Sequence, residues 1–102
     1  MQEVLTEQNF DANVLRSRGR VLVEFFATWC PHCQRMQPLV DDVAAQTTGQ
    51  CKVYQVDVDQ SPNLAAHYAP NGFPTFLLFV DGVLQEAITG EQPEEVLLEL
   101  AL

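Results

Sequence analysis

Positive charge is scarce in this chain. Five of its 102 residues are lysine or arginine against fourteen aspartates and glutamates, a formal net charge of -9. Such a surface repels phosphate backbones and anionic lipid headgroups, which argues against nucleic acid or a membrane as partner. Long apolar runs are missing too, and no stretch is fit to span a bilayer. The opening segment, Met1 to Asn13, carries Glu3, Glu7 and Asp11 and has neither a basic start nor an apolar core. It does not read as a signal peptide, so the cytoplasm is the expected location. Cysteine is limited to Cys30, Cys33 and Cys51, and a secreted disulfide framework would leave one of the three over. Repeats, low-complexity tracts and linkers are absent. With 47% hydrophobic residues, a chain of 102 can build one compact core and is too short for two ordinary domains. Residues 1-102 are expected to form a single domain.

Hydrophobic periodicity and punctuation divide the chain into alternating elements. A short strand over Glu3 to Leu5 leads to Thr6 and Asn9, either of which can cap a helix whose face is Phe10, Val14 and Leu15. The run Val21-Leu22-Val23-Glu24-Phe25-Phe26-Ala27 is almost wholly apolar, which predicts a strand buried on both faces at the centre of the sheet. From Cys33 to Gln46, Met36, Leu39, Val40, Val43 and Ala44 mark a helical stripe with Pro38 as a kink inside it and Gly49 as its stop. Val53, Tyr54, Val56 and Val58 predict a third strand. Ser61 then caps, with Pro62 in the first position, a short helix to Tyr68. Thr75 to Val80 and Val83 to Thr89 read as antiparallel strands joined by Asp81-Gly82, a dipeptide suited to a primed hairpin turn. Pro93 opens a last helix that packs through Val96, Leu97, Leu100 and Leu102. Strands alternating with helices and closed by a hairpin predict an α/β domain: a mixed sheet, parallel at its centre, covered by helices.

Reactive groups in such sheets gather at carboxyl ends of strands. The run Trp29-Cys30-Pro31-His32-Cys33 lies at one. Cysteines at i and i+3 share a face of the first helical turn, near enough to close a small disulfide ring or to attack in sequence. A zinc half-site is the competing reading. It would need two further ligands from His32, His67 or Cys51, whose spacing matches no recognisable pattern, and no metal is expected.

Taken together, the segment Val21 to Cys30, Pro38, the Phe73-Pro74-Thr75 loop, Gly82 and Gly90 resemble the thioredoxin family over essentially the whole chain. The resemblance implies a thioredoxin fold with a central five-stranded mixed sheet and four helices. It implies a thiol-disulfide oxidoreductase, a protein-disulfide reductase with a cis bond before Pro74. Partners would be protein disulfide substrates and an NADPH-dependent flavoprotein reductase acting on a monomer without an organic cofactor. Four positions depart from ordinary thioredoxins. Pro31-His32 replaces Gly-Pro and matches the dipeptide of periplasmic disulfide oxidases, which carry a large helical insertion that this chain has no room for. Glu24 stands where thioredoxins usually place aspartate, and Gln55 replaces the lysine that often accompanies that acid.

Within this frame each residue receives an expected role. Cys30, at a helix amino terminus, meets unpaired N-H groups and the positive end of the helix dipole, which favour its thiolate, so it is the expected nucleophile. Cys33 is the resolving thiol. His32 can stabilise the Cys30 thiolate and make the couple more oxidising than thioredoxin's roughly -270 mV. Glu24, charged within an apolar strand, should be buried and protonated, and is the candidate proton acceptor for Cys33, directly or through water. Pro74 lacks an N-H that would compete for a substrate strand, leaving the Phe73 backbone free to pair with an extended peptide. Trp29, Pro31, Val58, Gly72, Phe73 and Gly90 would form an apolar collar for substrate. Cys51 and His67 are expected to be structural, and Asp41, Asp42, Asp57 and Asp59 a solvated face. The remaining readings are a disulfide oxidase or isomerase, and a non-catalytic binding module in which the cysteines are incidental.

Overall fold

The structure is a computed structural model that describes residues 1–102. Its strands are β1 (Val4–Leu5), β2 (Arg20–Phe26), β3 (Cys51–Asp57), β4 (Thr75–Val80) and β5 (Val83–Thr89). Its α-helices are α1 (Pro31–Gln46), α2 (Pro62–Tyr68) and α3 (Glu94–Ala101), preceded by a single π turn at Asp11–Leu15. The strands form one five-stranded sheet in the order β1-β3-β2-β4-β5. β1 and β2 run parallel to β3, while β2–β4 and β4–β5 are antiparallel. This is the expected thioredoxin fold, with β2 at the centre.

Alternation along the central strands sorts their side chains onto two faces. Val21, Val23 and Phe25 point with Leu77 and Phe79 toward a core that includes Phe10 and the edge of Tyr68. Phe10 binds this layer together, its ring 6.4 Å from Phe25, 6.1 Å from Phe79 and 5.3 Å from Tyr68. Leu22 points the other way with Phe76 and Leu78, against Met36, Val40 and Val43 of α1 and Leu97 and Leu100 of α3. Each of these large side chains contributes about 1.5–3 kcal/mol when removed from water. Glu24 has the same parity as Leu22 and lies in register between Gln55 and Phe76, so it faces α1 from within the sheet.

Several terminal details differ from the sequence reading. The first helix is only a π turn without a side-chain cap; Asn9 Oδ1 instead accepts the Thr6 N-H at 2.7 Å, and Gln8 N-H reaches Thr6 Oγ1 at 3.3 Å. Ser61 stands at the N-cap of α2 but its buried hydroxyl caps nothing. The cap is Glu7, whose Oε2 accepts the N-H groups of Asn63 at 2.7 Å and Leu64 at 3.4 Å. A carboxylate suits the positive end of a helix better than a hydroxyl does. Pro38 sits inside α1, which nonetheless runs unbroken from Pro31 to Gln46. Leu102 lies past the end of α3 and is exposed, and the helix is buried through Leu97, Leu100 and Ala101. The hairpin follows the turn chemistry: Asp81 and Gly82 take φ of 51° and 81°. Gly82 is required there twice over, since a Cβ would also lie 2.0 Å from the Leu15 carbonyl oxygen.

Candidate functional site

β2 ends at Phe26, and Cys30 follows as the N-cap of α1, with Pro31 in the first turn where its missing N-H costs nothing. Cys30 Sγ accepts the Cys33 N-H at 3.3 Å, so the sulfur does the work an N-cap oxygen usually does. Both cysteines are free thiols, each only 4% exposed. Burial first, and then the adjacent Cys30 sulfur, push the Cys33 thiol up to about 12. At neutral pH the second sulfur therefore keeps its proton until a base removes it.

The charge of Glu24, on β2, is also among the influences that raise Cys33. Glu24 is 1% exposed, and burial pushes its carboxyl up to about 7, against the lowering effect of a 2.6 Å hydrogen bond donated by Gln55 Nε2 to its Oε1. Its Oε2 has no hydrogen-bond partner in the protein. Gln55 and Gln37 pair through both amides at 2.9 and 3.1 Å, and Gln37 Nε2 donates to Asp41 Oδ1 at 3.0 Å. Asp41 thus terminates an amide chain that leads from the buried carboxyl to α1, and its negative charge helps to raise Glu24. A pocket of about 300 Å³ opens alongside, lined by Phe26, Ala27, Cys33 and Gln37 among others.

On the outer side, the Phe73–Pro74 peptide bond is cis, as the resemblance implied. The Phe73 carbonyl oxygen lies 4.0 Å from Cys30 Sγ. Gly90 N-H donates to the Pro74 carbonyl at 2.7 Å, and Thr75 Oγ1 to that of Gly72, which ties both glycine loops to the proline. Val58 and Phe73 share one apolar cluster with the two cysteines. Trp29 is 62% exposed and leans edge-on against Phe73 at 5.4 Å, held by a 2.7 Å hydrogen bond from its Nε1 to Asp59. Pro31 is exposed at the rim.

His32 is exposed and makes no hydrogen bond to Cys30; its Nδ1 lies 2.5 Å from Glu91 Oε2. Glu91 is a site residue that sequence reasoning missed, since nothing local marks it. The four aspartates do not make one solvated face: Asp57 is buried and accepts the Asp59 N-H, Asp59 anchors Trp29, and Asp41 ends the amide chain. Cys51 opens β3 at the opposite end of the sheet, its thiol pushed up by burial, and His67 stacks edge-on against Tyr68. No three His, Cys, Asp or Glu side chains are grouped as metal ligands. No helix is long and apolar enough to cross a membrane.

Two free thiols stand at the start of a helix, one capping it and one buried, opposite a cis-proline loop, with the spacing of a Cys-x-x-Cys motif on a thioredoxin fold. Comparison with known proteins agrees. The thioredoxin family model matches residues 1–101, and the chain belongs to that family, whose members act as protein disulfide oxidoreductases. It is 37% identical to thioredoxin 1 of Synechococcus elongatus, over 91% of this chain and 87% of that protein. It is 35% identical to the thioredoxin of Staphylococcus haemolyticus, over 94% and 90%. The chloroplastic thioredoxin M2 of Arabidopsis thaliana matches at 37% over 93% of the chain, which spans about half (51%) of that relative's length. Among solved structures, a mutant thioredoxin from Halobacterium salinarum superposes with a TM-score of 0.86 at 35% identity, covering 97% of this chain and 86% of that one.

Proposed function

We propose that this protein, a single domain working as a monomer, reduces disulfides in protein substrates through Cys30 and Cys33. The observation that carries the reading is the Cys33 N-H donated to Cys30 Sγ at 3.3 Å, which aims the positive end of α1 at the first sulfur. In the first step Cys30 Sγ, as thiolate, attacks one sulfur of the substrate disulfide. A Cys30–substrate bond forms, the substrate bond breaks, and the departing sulfur takes up a proton. Cys33 then attacks Cys30 Sγ, closing the internal disulfide and releasing the second substrate sulfur. The substrate gains two electrons and two protons, and the protein ends oxidised.

The second step needs the Cys33 proton removed in a dry place. Glu24, pushed up to about 7, holds a proton affinity suited to taking it near neutral pH, with its unpartnered Oε2 free to accept. The pocket beside Cys33 offers the way out to solvent. For substrate binding, Phe73 supplies backbone groups next to Cys30, and Pro74 brings no competing N-H. Trp29, Pro31, Val58, Gly72 and Gly90 give an apolar rim that accepts many sequences.

Return to the dithiol requires a two-electron donor, for which an NADPH-dependent flavoprotein reductase in the cytoplasm is the proposed source. Pro31-His32 beside the thiolate supports a potential above that of an ordinary thioredoxin, and this dipeptide is what favours the second reading, an oxidase or isomerase. The test is capture. Cys33→Ser should accumulate a mixed disulfide between Cys30 and a disulfide substrate such as insulin, and Cys30→Ser should accumulate none and reduce nothing. Equal reduction by the Cys30→Ser protein would overturn the proposal.

A further inference from the structure

Glu91 reaches the active-site rim from the segment between β5 and α3, next to the Gly90 that bonds Pro74. Its Oε2 lies 2.5 Å from His32 Nδ1 and 2.7 Å from Arg35 Nη2, and Arg35 Nε approaches its two oxygens at 3.3 and 3.1 Å. His32 and Arg35 are three apart on the first turns of α1, hence neighbours on its surface. Arg35 Nη2 also stands 2.7 Å from His32 Nδ1. A guanidinium can only donate and a carboxylate only accept, so one ring nitrogen cannot satisfy both. The carboxylate wins that contest, because Arg35 keeps its contacts to Glu91 in either case and the Nδ1-H has nowhere better to go. The Arg35 bond first, and His32 next, hold the Glu91 carboxyl down at about 2, so it is ionised wherever thiol exchange proceeds.

The placement matters because cations are so few. Arg16, Arg18, Arg20 and Lys52 lie at or before the starts of β2 and β3, at the far end of the sheet from Cys30. Arg35 is the one lysine or arginine at the active-site end, and the charge of Cys30 is among the influences that raise it. Left free, Arg35 and a protonated His32 would both favour a thiolate at Cys30.

We propose that Glu91 is a positioning residue of the redox couple: it draws His32 and Arg35 onto itself, away from Cys30, and keeps the protein less oxidising than Pro31-His32 alone would make it. The inference rests on reading Cys30 and Cys33 as an exchange pair. Its consequence is that the dipeptide between the cysteines does not set the potential by itself.

The experiment is a double-mutant cycle read by equilibration with glutathione. Glu91→Gln keeps the side-chain shape and removes the charge, and it should raise the equilibrium constant for the reduced protein roughly two- to fivefold, the scale of an exposed charge pair. In a His32→Pro background the same substitution should move the constant clearly less, because only Arg35 is then left to be released. An unchanged constant, or equal shifts in both backgrounds, overturns the proposal. A wild-type protein that never equilibrates with glutathione defeats the exchange reading and this inference with it; an additive cycle in a protein that does equilibrate defeats this inference alone.

Discussion

Glu24→Gln removes one buried ionisable group and changes almost nothing else in shape, so it isolates the cost of keeping that group inside the sheet. The Glu24 carboxyl is pushed from an ordinary 4.5 up to about 7 by burial. A carboxyl held above its unfolded value binds its proton more tightly in the folded protein. The stability it contributes is therefore fully present below the unfolded value, and is lost as pH rises toward and through about 7. Between pH ~5 and ~8 the wild-type protein should lose about 2–3 kcal/mol of unfolding free energy from this group alone. Urea unfolding of the reduced protein at several pH values measures the slope. Glu24→Gln should flatten it and be the more stable protein at the alkaline end. Superimposable slopes for the two proteins would refute the reasoning, since they would mean that Glu24 titrates alike folded and unfolded.

The same substitution carries a cost in rate. Without a carboxylate, Cys33 keeps the proton that its value of about 12 implies, and resolution of the mixed disulfide should slow by roughly 10²-fold or more, the usual weight of a general base. Single-turnover quenching of the Cys30–substrate adduct reads this directly. A protein that is more stable at high pH yet slower to resolve its intermediate is the signature expected of a functional group placed against the interest of the fold.

Two further substitutions test the fold and the rim. Gly82→Ala should destabilise the protein by about 2–4 kcal/mol, because a left-handed φ of 81° and a Cβ 2.0 Å from the Leu15 carbonyl are penalised together; an unchanged urea midpoint would contradict it. His32→Pro should lower the equilibrium constant for the reduced protein by less than Glu91→Gln raises it, because Glu91 already holds the ring away from Cys30. No change would remove His32 from the account of the potential.

Elements specified by local chemistry were legible in the sequence. The apolar run around Glu24 announced a central strand, and Asp81-Gly82 announced a hairpin whose two φ angles are indeed positive. Cys30 was readable at the amino terminus of α1 because the motif and its helix are contiguous; that its sulfur caps the helix is a finding of the structure. Two of the misreadings, at Ser61 and Asp59, share one physical cause, competition from groups far away in the chain. Ser61 looked like the cap of α2, but Glu7, 56 residues earlier than the Asn63 it binds, occupies that position. Asp59 looked like surface charge until Trp29, 30 residues away, claimed it.

The two glutamates at the site show where that boundary falls. Glu24 stands out because a charge inside an apolar strand conflicts with its neighbours, and such local conflicts are expected where a site needs them. Glu91 conflicts with nothing around it: a glutamate between Gly90 and Gln92 reads as an ordinary loop residue. Its relation to His32 exists only because β5 pairs with β4, the Gly90 N-H bonds Pro74, and the following segment is thereby delivered to the first turn of α1. A partner delivered by sheet register leaves no mark on its own stretch of chain. Redox tuning by such partners is accordingly to be sought in the loops that the sheet brings to the helix amino terminus, and not only between the two cysteines.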